Sequence, residues 1–279
     1  MSVHSRYRAG LWHPYEKPMC GVLLNPYHPL ARGLVGCWLF NEGGGSIVYD
    51  LSGHGNHGTL GGGTAGYCPA WTTGKFGSAL NFDDDFISIP HDASFDVDTV
   101  TVIAWFKATA SGAWMKIVCH PYYDDQWSDP CVVYALSIDK QNEIISEIST
   151  EISNYKAYGP VLSINTWYFA ALTWDGEVVK IYVNGIHEGS TYPSGSLNHR
   201  STKVHIAKAY DAANTELFNG VIDSVMIYNR ALSAKEIWQL YTDPFCMFYH
   251  PFEAELLYTA APPAGIVPQA MHHYRMLRT

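Results

Sequence analysis

The chain has 279 residues, of which 47% are hydrophobic, and a formal net charge of −9. That hydrophobic fraction excludes an intrinsically disordered chain, and an acidic balance with no Lys/Arg cluster excludes a nucleic-acid partner. No apolar run approaches the ~20 residues that a membrane-crossing helix needs, whereas a single all-β domain is ordinary at this length.

The opening, MSVHSRYRAGLWHPYEKP, lacks the apolar core of a secretion signal. Cys20, Cys37, Cys68, Cys119, Cys131 and Cys246 form no C-x-x-C pair and no zinc spacing, which agrees with free thiols and a cytosolic origin. Nine of the 15 prolines lie near the two ends: Pro14, Pro18, Pro26, Pro29, Pro244, Pro251, Pro262, Pro263 and Pro268. Proline removes a backbone donor, so these flanks cannot be central strands or long helices. They are still rich in aromatics, among them Tyr7, Trp12, Tyr15, Tyr27, Phe245, Phe248, Phe252 and Tyr274. We therefore expect residues 1–33 and 244–279 to be extended arms lying on a surface, either their own domain's or a neighbouring subunit's.

Between the arms, an apolar strand from Leu34 to Phe40 carries Cys37 as a small buried hydrophobe. It runs into Gly43, Gly44 and Gly45 and then a turn built on Asp50, Ser52 and Asn56, short side chains that bond nearby backbone or offer hard oxygens to a cation. GKFGSALNFDDDFISIP (74–90) follows. In TVTVIAWF, Val100, Val102, Ala104 and Phe106 share one face while Ile103 and Trp105 share the other, as expected for a strand between two layers. Asn184-Gly185 predicts a type I′ hairpin, Asp175-Gly176 another tight turn. Ser233 and Glu236 form a capping box for one helix that ends at Asp243-Pro244.

These segments, with NTWYFAALTWDGEVVKIYVNG (165–185) and LFNGVIDSVMIYNRALSAKEI (217–237), resemble the laminin G-like, concanavalin A-type lectin/glucanase jelly roll in order and spacing over about residues 34–242. The resemblance implies an all-β, antiparallel two-sheet sandwich over residues 34–243. It also implies a structural calcium that joins the early loop to a late aspartate, which here would be Asp50, Asn56 and Asp223, with Glu42 a weaker addition. The alternative is that Asp50 and Asn56 only cap turns and that Asp223 bonds to backbone.

Three further groups could carry chemistry. His54 and His57 have no third nitrogen or sulfur ligand nearby and are read as solvated. In NEIISEISTEIS, Glu143, Glu147 and Glu151 alternate with an apolar face. Glycosidases pair carboxylates ~5–9.5 Å apart, but the Glu-x-Asp-x-x-Glu strand of the superfamily's β-glucanases lacks its central Asp here, so the ladder reads as a solvated outer face. WMKIVCHPYYDDQWSDPC (114–131) places Trp114, Tyr122, Tyr123 and Trp127 beside Asp124 and Asp125. Stacking aromatics beside carboxylates suit a glycan, a protein partner or local packing. No Gly-x-Ser-x-Gly elbow, phosphate loop or dinucleotide fingerprint appears. The expected protein is a non-enzymatic structural or attachment module with a lectin-like face that takes cell-surface glycans. By analogy it belongs on a virion, with its arms bound to other subunits of an oligomeric assembly. The rival is a secreted carbohydrate-binding protein or glycoside hydrolase.

Overall fold

The computed structural model describes residues 15–124, 130–210 and 216–249. The described chain forms two antiparallel sheets of eight strands each, and one α-helix.

In the first sheet, β14 (Ile186–Thr191), β13 (Val179–Val183), β12 (Tyr168–Trp174) and β7 (Val100–Ala108) lie in that order and lead to β16 (Gly220–Tyr228). The far side of β16 is shared: Gly220–Ile222 pair with β5 (Ser78–Phe82), and Val225–Tyr228 pair with β1 (Leu34–Trp38). β4 (Ala70–Thr73) completes the edge next to β5. Between the two partners the register of β16 slips at Asp223, a β-bulge that re-aims the side chain. The second sheet runs β11 (Asn154–Val161), β10 (Glu143–Ser149), β9 (Val132–Ile138), β8 (Met115–Pro121), β15 (Val204–Ile206), β6 (Ile87–Ile89), β3 (Gly58–Leu60) and β2 (Ile47–Val48).

The main core lies between the sheets. Val100, Val102, Ala104 and Phe106 enter it from β7, facing Leu136, Ile144 and Ile148 of the second sheet, with Trp38 and Trp174 among its largest members. The opposite face of β7 enters a second core on the outer side of the first sheet. There Ile103 and Trp105 meet Phe169, Met226 and Tyr228, under Ile237 and Leu240 of the helix α1 (Ala234–Thr242). The two-layer expectation for this strand is met. Capping also follows the sequence: the Ser233 side chain accepts from the Glu236 N–H, and the Glu236 carboxylate accepts from the Ser233 N–H at 2.8 Å. Asn184 (φ 49°) and Gly185 (φ 81°) make the left-handed pair that a type I′ turn requires.

The described parts of both arms finish this second core. Leu30, Phe245, Met247 and Phe248 are buried in it. The two ends also pair with each other: the Asn25 N–H donates to the Met247 carbonyl (2.8 Å) and the Tyr249 N–H to the Leu23 carbonyl (2.9 Å). The second core thus crosses the positions 33/34 and 243/244 where the arms were expected to begin. The reason is that the first sheet has a second apolar face to cover. Tyr15 and Tyr27 are exposed, and Tyr7, Trp12, Phe252 and Tyr274 lie outside the described residues.

Candidate functional site

The 114–131 stretch does not form one patch. Trp114 precedes β8 and Tyr122 follows it. At ~3.3 Å per strand residue the two stand roughly 25 Å apart. At the far end, Tyr122 is buried in the main core with the Arg200 guanidinium 3.7 Å from its ring centre, so its faces are closed to a sugar. Tyr123 packs edge-on against it at 4.9 Å. Asp124 accepts from the Lys203 N–H at 3.1 Å. Asp125 and Trp127 lie outside the described residues.

At the near end Trp114 is half-buried and joins a charged group that the strand pattern alone did not disclose. The outward positions of the second sheet form a cross-strand row of Lys156, Glu147, Ala135, Cys119, His205 and Ser88. Beside it, Lys116 reaches Glu147 Oε1 at 2.5 Å and Glu216 Oε2 at 3.5 Å, while Lys156 reaches Glu147 Oε2 at 3.5 Å. The Lys156 ammonium lies 4.2 Å from the centre of the Trp114 ring. Lys116 and Glu147 are 1% and 2% exposed. The reading of Glu147 as part of a solvated face is therefore wrong: its alternation is right, but the outer face at this point is closed over.

Burial opposes ionisation of Glu147, yet Lys116 and Lys156 hold its carboxyl below the ordinary value. Burial likewise opposes charge on Lys116, and Glu147 and Glu216 reverse that, raising its pKa well above the usual one. Glu216 is raised by burial, which Lys116 only partly offsets. The result is a neutralised internal network rather than a poised acid–base pair. Glu151 lies past the end of β10, where it accepts from the Ser196 N–H at 2.9 Å, and has no part in this group. A lone lysine in the apolar run MKIVCHP was the available signal, since a charge in a buried strand needs a partner.

The expected calcium ligands are satisfied by other means. Asp50 Oδ1 accepts from the N–H groups of Cys37 and Ser52 (both 2.9 Å), and Oδ2 accepts from the Ser52 hydroxyl (2.7 Å) and the Asn56 N–H (2.9 Å). Asn56 donates its side-chain amide to the Val35 carbonyl and the Ser94 hydroxyl. Asp223 accepts from the N–H groups of Lys75 (2.8 Å) and Phe76 (3.1 Å) through Oδ2, while Oδ1 pairs with the Lys17 ammonium at 2.8 Å. A hard dication needs six to eight oxygens with free lone pairs. These residues do not fit it, and no cluster of three or more His, Cys, Asp or Glu suited to a metal occurs among the described residues. His57 Nδ1 accepts from the Asp50 N–H at 3.0 Å, and His54 is exposed.

A family model described as the concanavalin A-like lectin/glucanases superfamily, laminin G-like, matches residues 81–238. A search of curated proteins finds no significant match. Among solved structures, the binding domain of Paraclostridial Mosquitocidal Protein 1 is similar at TM-score 0.61 and 16% identity, over 78% of this chain and 53% of that one. Domain 4 of AbnA, a GH43 extracellular arabinanase from Geobacillus stearothermophilus, in complex with arabinotriose, gives 0.59 and 19%, over 75% and 98%. The binding domain of Botulinum neurotoxin DC in complex with rat synaptotagmin II gives 0.55 and 12%, over 76% and 51%. The chain spans about half the length of the first and third of these, and at such identities the likeness is one of fold.

Proposed function

Because the chain belongs to the concanavalin A-like lectin/glucanases superfamily, we propose that it is a non-enzymatic binding and attachment module whose glycan site is centred on Trp114. One observation carries the choice of binding over hydrolysis. The carboxylate that glycoside cleavage would use, Glu147, is 2% exposed and locked between two lysines. A general acid or nucleophile must reach the glycosidic bond, and this one cannot. Trp114 instead offers a half-buried indole with the Lys156 ammonium over its ring at 4.2 Å and Lys116 further off at 5.9 Å, an aromatic body with charged donors beside it. The likeness to the binding domain of Paraclostridial Mosquitocidal Protein 1 and to Domain 4 of AbnA, solved in complex with arabinotriose, supports the same reading.

The setting we assign is a virion surface, where the segments flanking the jelly roll join other subunits and the second sheet faces outward. A glycan array combined with a reducing-sugar release assay tests the module. Binding without release is expected, and Trp114→Ala should weaken it roughly tenfold or more, while Tyr122→Phe should leave it unchanged. Release of reducing ends would make the protein a hydrolase. Mass spectrometry of purified particles tests the setting: the protein in secreted fractions alone would place it outside a virion.

A further inference from the structure

Asp223 and the backbone around it form an oxygen cage with a cation at its centre. Lys17 Nζ lies 2.8 Å from Asp223 Oδ1, 2.7 Å from the Asp223 carbonyl and 2.5 Å from the Ser78 carbonyl. Both side chains are almost fully buried, at 2% and 0% exposure. Glu42 also faces Lys17 electrostatically, and its Oε2 is buried with no hydrogen-bond partner among the described residues. The cage is held rigidly: the bulge in β16 aims the aspartate, the N–H groups of Lys75 and Phe76 fix its other oxygen, and the Lys17 N–H donates to the Phe76 carbonyl at 3.1 Å. Gly74 has no room for a side chain, since a Cβ there would stand 2.2 Å from Asp223 Oδ2.

Three oxygens converging at these distances, one from a carboxyl group and two from carbonyls, are part of the set of six to eight that a hard cation takes, with water to complete it, and the Lys17 ammonium occupies the place where that cation would sit. We infer that this is a cation site which the chain fills with its own ammonium, so that Lys17 does for this fold what a bound divalent ion would otherwise do. The N-terminal segment is therefore a staple. It joins residues 15–19 to the β4–β5 turn and to β16, and the fold closes without metal. Removing the lysine side chain opens a site for calcium, while replacing it with an apolar side chain of similar length leaves the slot filled but uncharged.

The experiment uses the full chain and calcium or magnesium chloride alone as probes, read by thermal melting and by calorimetric titration of the metal. Wild type should melt at the same temperature with EDTA and with millimolar calcium, and should show no binding heat. Lys17→Ala should lose roughly 5–15 °C, the effect of leaving a buried carboxylate unpaired in a chain of this size. Calcium should bind that variant and restore much of the loss. Lys17→Met should be destabilised similarly and be indifferent to calcium, and adding Asp223→Asn to it should recover stability. If Lys17→Ala does not fold alone, it should refold when calcium is present. A wild-type melt lowered by EDTA overturns the inference. So does a Lys17→Ala protein that binds no calcium, whether folded or not.

Discussion

On the outer side of the first sheet, Ile103, Trp105, Phe169 and Met226 are covered by Ile237 and Leu240 of the helix and by Phe245 and Met247 beyond it. On the outer side of the second sheet, the corresponding layer holds Lys116, Glu147, Ser137, Cys119 and His205, all buried. The two sheets belong to one sandwich and share one core, yet their outer faces are closed by different physics. An apolar cover gains free energy from area and tolerates modest changes of shape. A buried ionic layer holds only while each charge keeps its partner, because an orphaned ion cannot return to water. The first face is therefore suited to carrying the chain's ends, and the second to a fixed, shaped surface.

Breaking the ionic face should cost most. Lys116→Ala leaves Glu147 buried with the half-exposed Lys156, at 3.5 Å, as its remaining lysine and should destabilise by about 3–5 kcal/mol in urea unfolding, whereas Lys116→Met with Glu147→Leu should recover most of that loss. If the single and double variants are equally unstable, the pair is not what closes this face. Breaking the apolar face should cost somewhat less. Ile237→Ala should lose about 3 kcal/mol through lost burial and the cavity left behind, and no compensating second substitution should be needed to interpret it.

Acid should act chiefly on the second sheet, on His120 at its inner side and on Glu147 at its outer face. Burial holds the His120 imidazole, which faces Tyr134 and the Arg200 carbonyl with His91 and Asp96 nearby, down at about 4. The unfolded chain takes up that proton near 6.5, so stability should fall as pH drops from about 6.5 to 4, by up to about 3 kcal/mol. Glu147 is lowered instead, so its contribution is complete above its unfolded value and is lost as pH falls through its lower folded value. Melting curves of His120→Gln should be flatter between pH 6.5 and 4.5 than those of wild type. Curves that superpose would remove His120 from the account. The smallest effect belongs to the helix end: Ser233→Ala removes the cap and should cost about 1 kcal/mol, with no change in acid response.

Much of the fold was legible because it rests on local rules. The two-faced apolar strand Val100–Phe106, the Asn184-Gly185 turn and the Ser233/Glu236 box each act within a few residues, and each is found where the spacing put it. The candidate site was less legible. Trp114 and Tyr122 are neighbours in a string of aromatics, but a seven-residue strand carries them to opposite ends of a sheet. Period two correctly placed Glu147 away from the main core. It could not say that Lys116, 31 positions earlier, would lie over it.

The same division holds for the cation site. The sequence alone determined that Asp50 and Asn56 are short oxygen-bearing residues of a glycine-rich turn and that Asp223 interrupts an apolar run, because composition and periodicity are properties of neighbours along the chain; the antiparallel jelly roll was implied by the resemblance of its segments to the concanavalin A-like family. Only the tertiary structure decided what satisfies these three side chains. A carboxylate accepts equally well from an N–H, a lysine or a metal, and the choice depends on which group the fold delivers within hydrogen-bond distance. For Asp223 that group is Lys17, 206 residues away, and no pattern along the chain announces a meeting so remote.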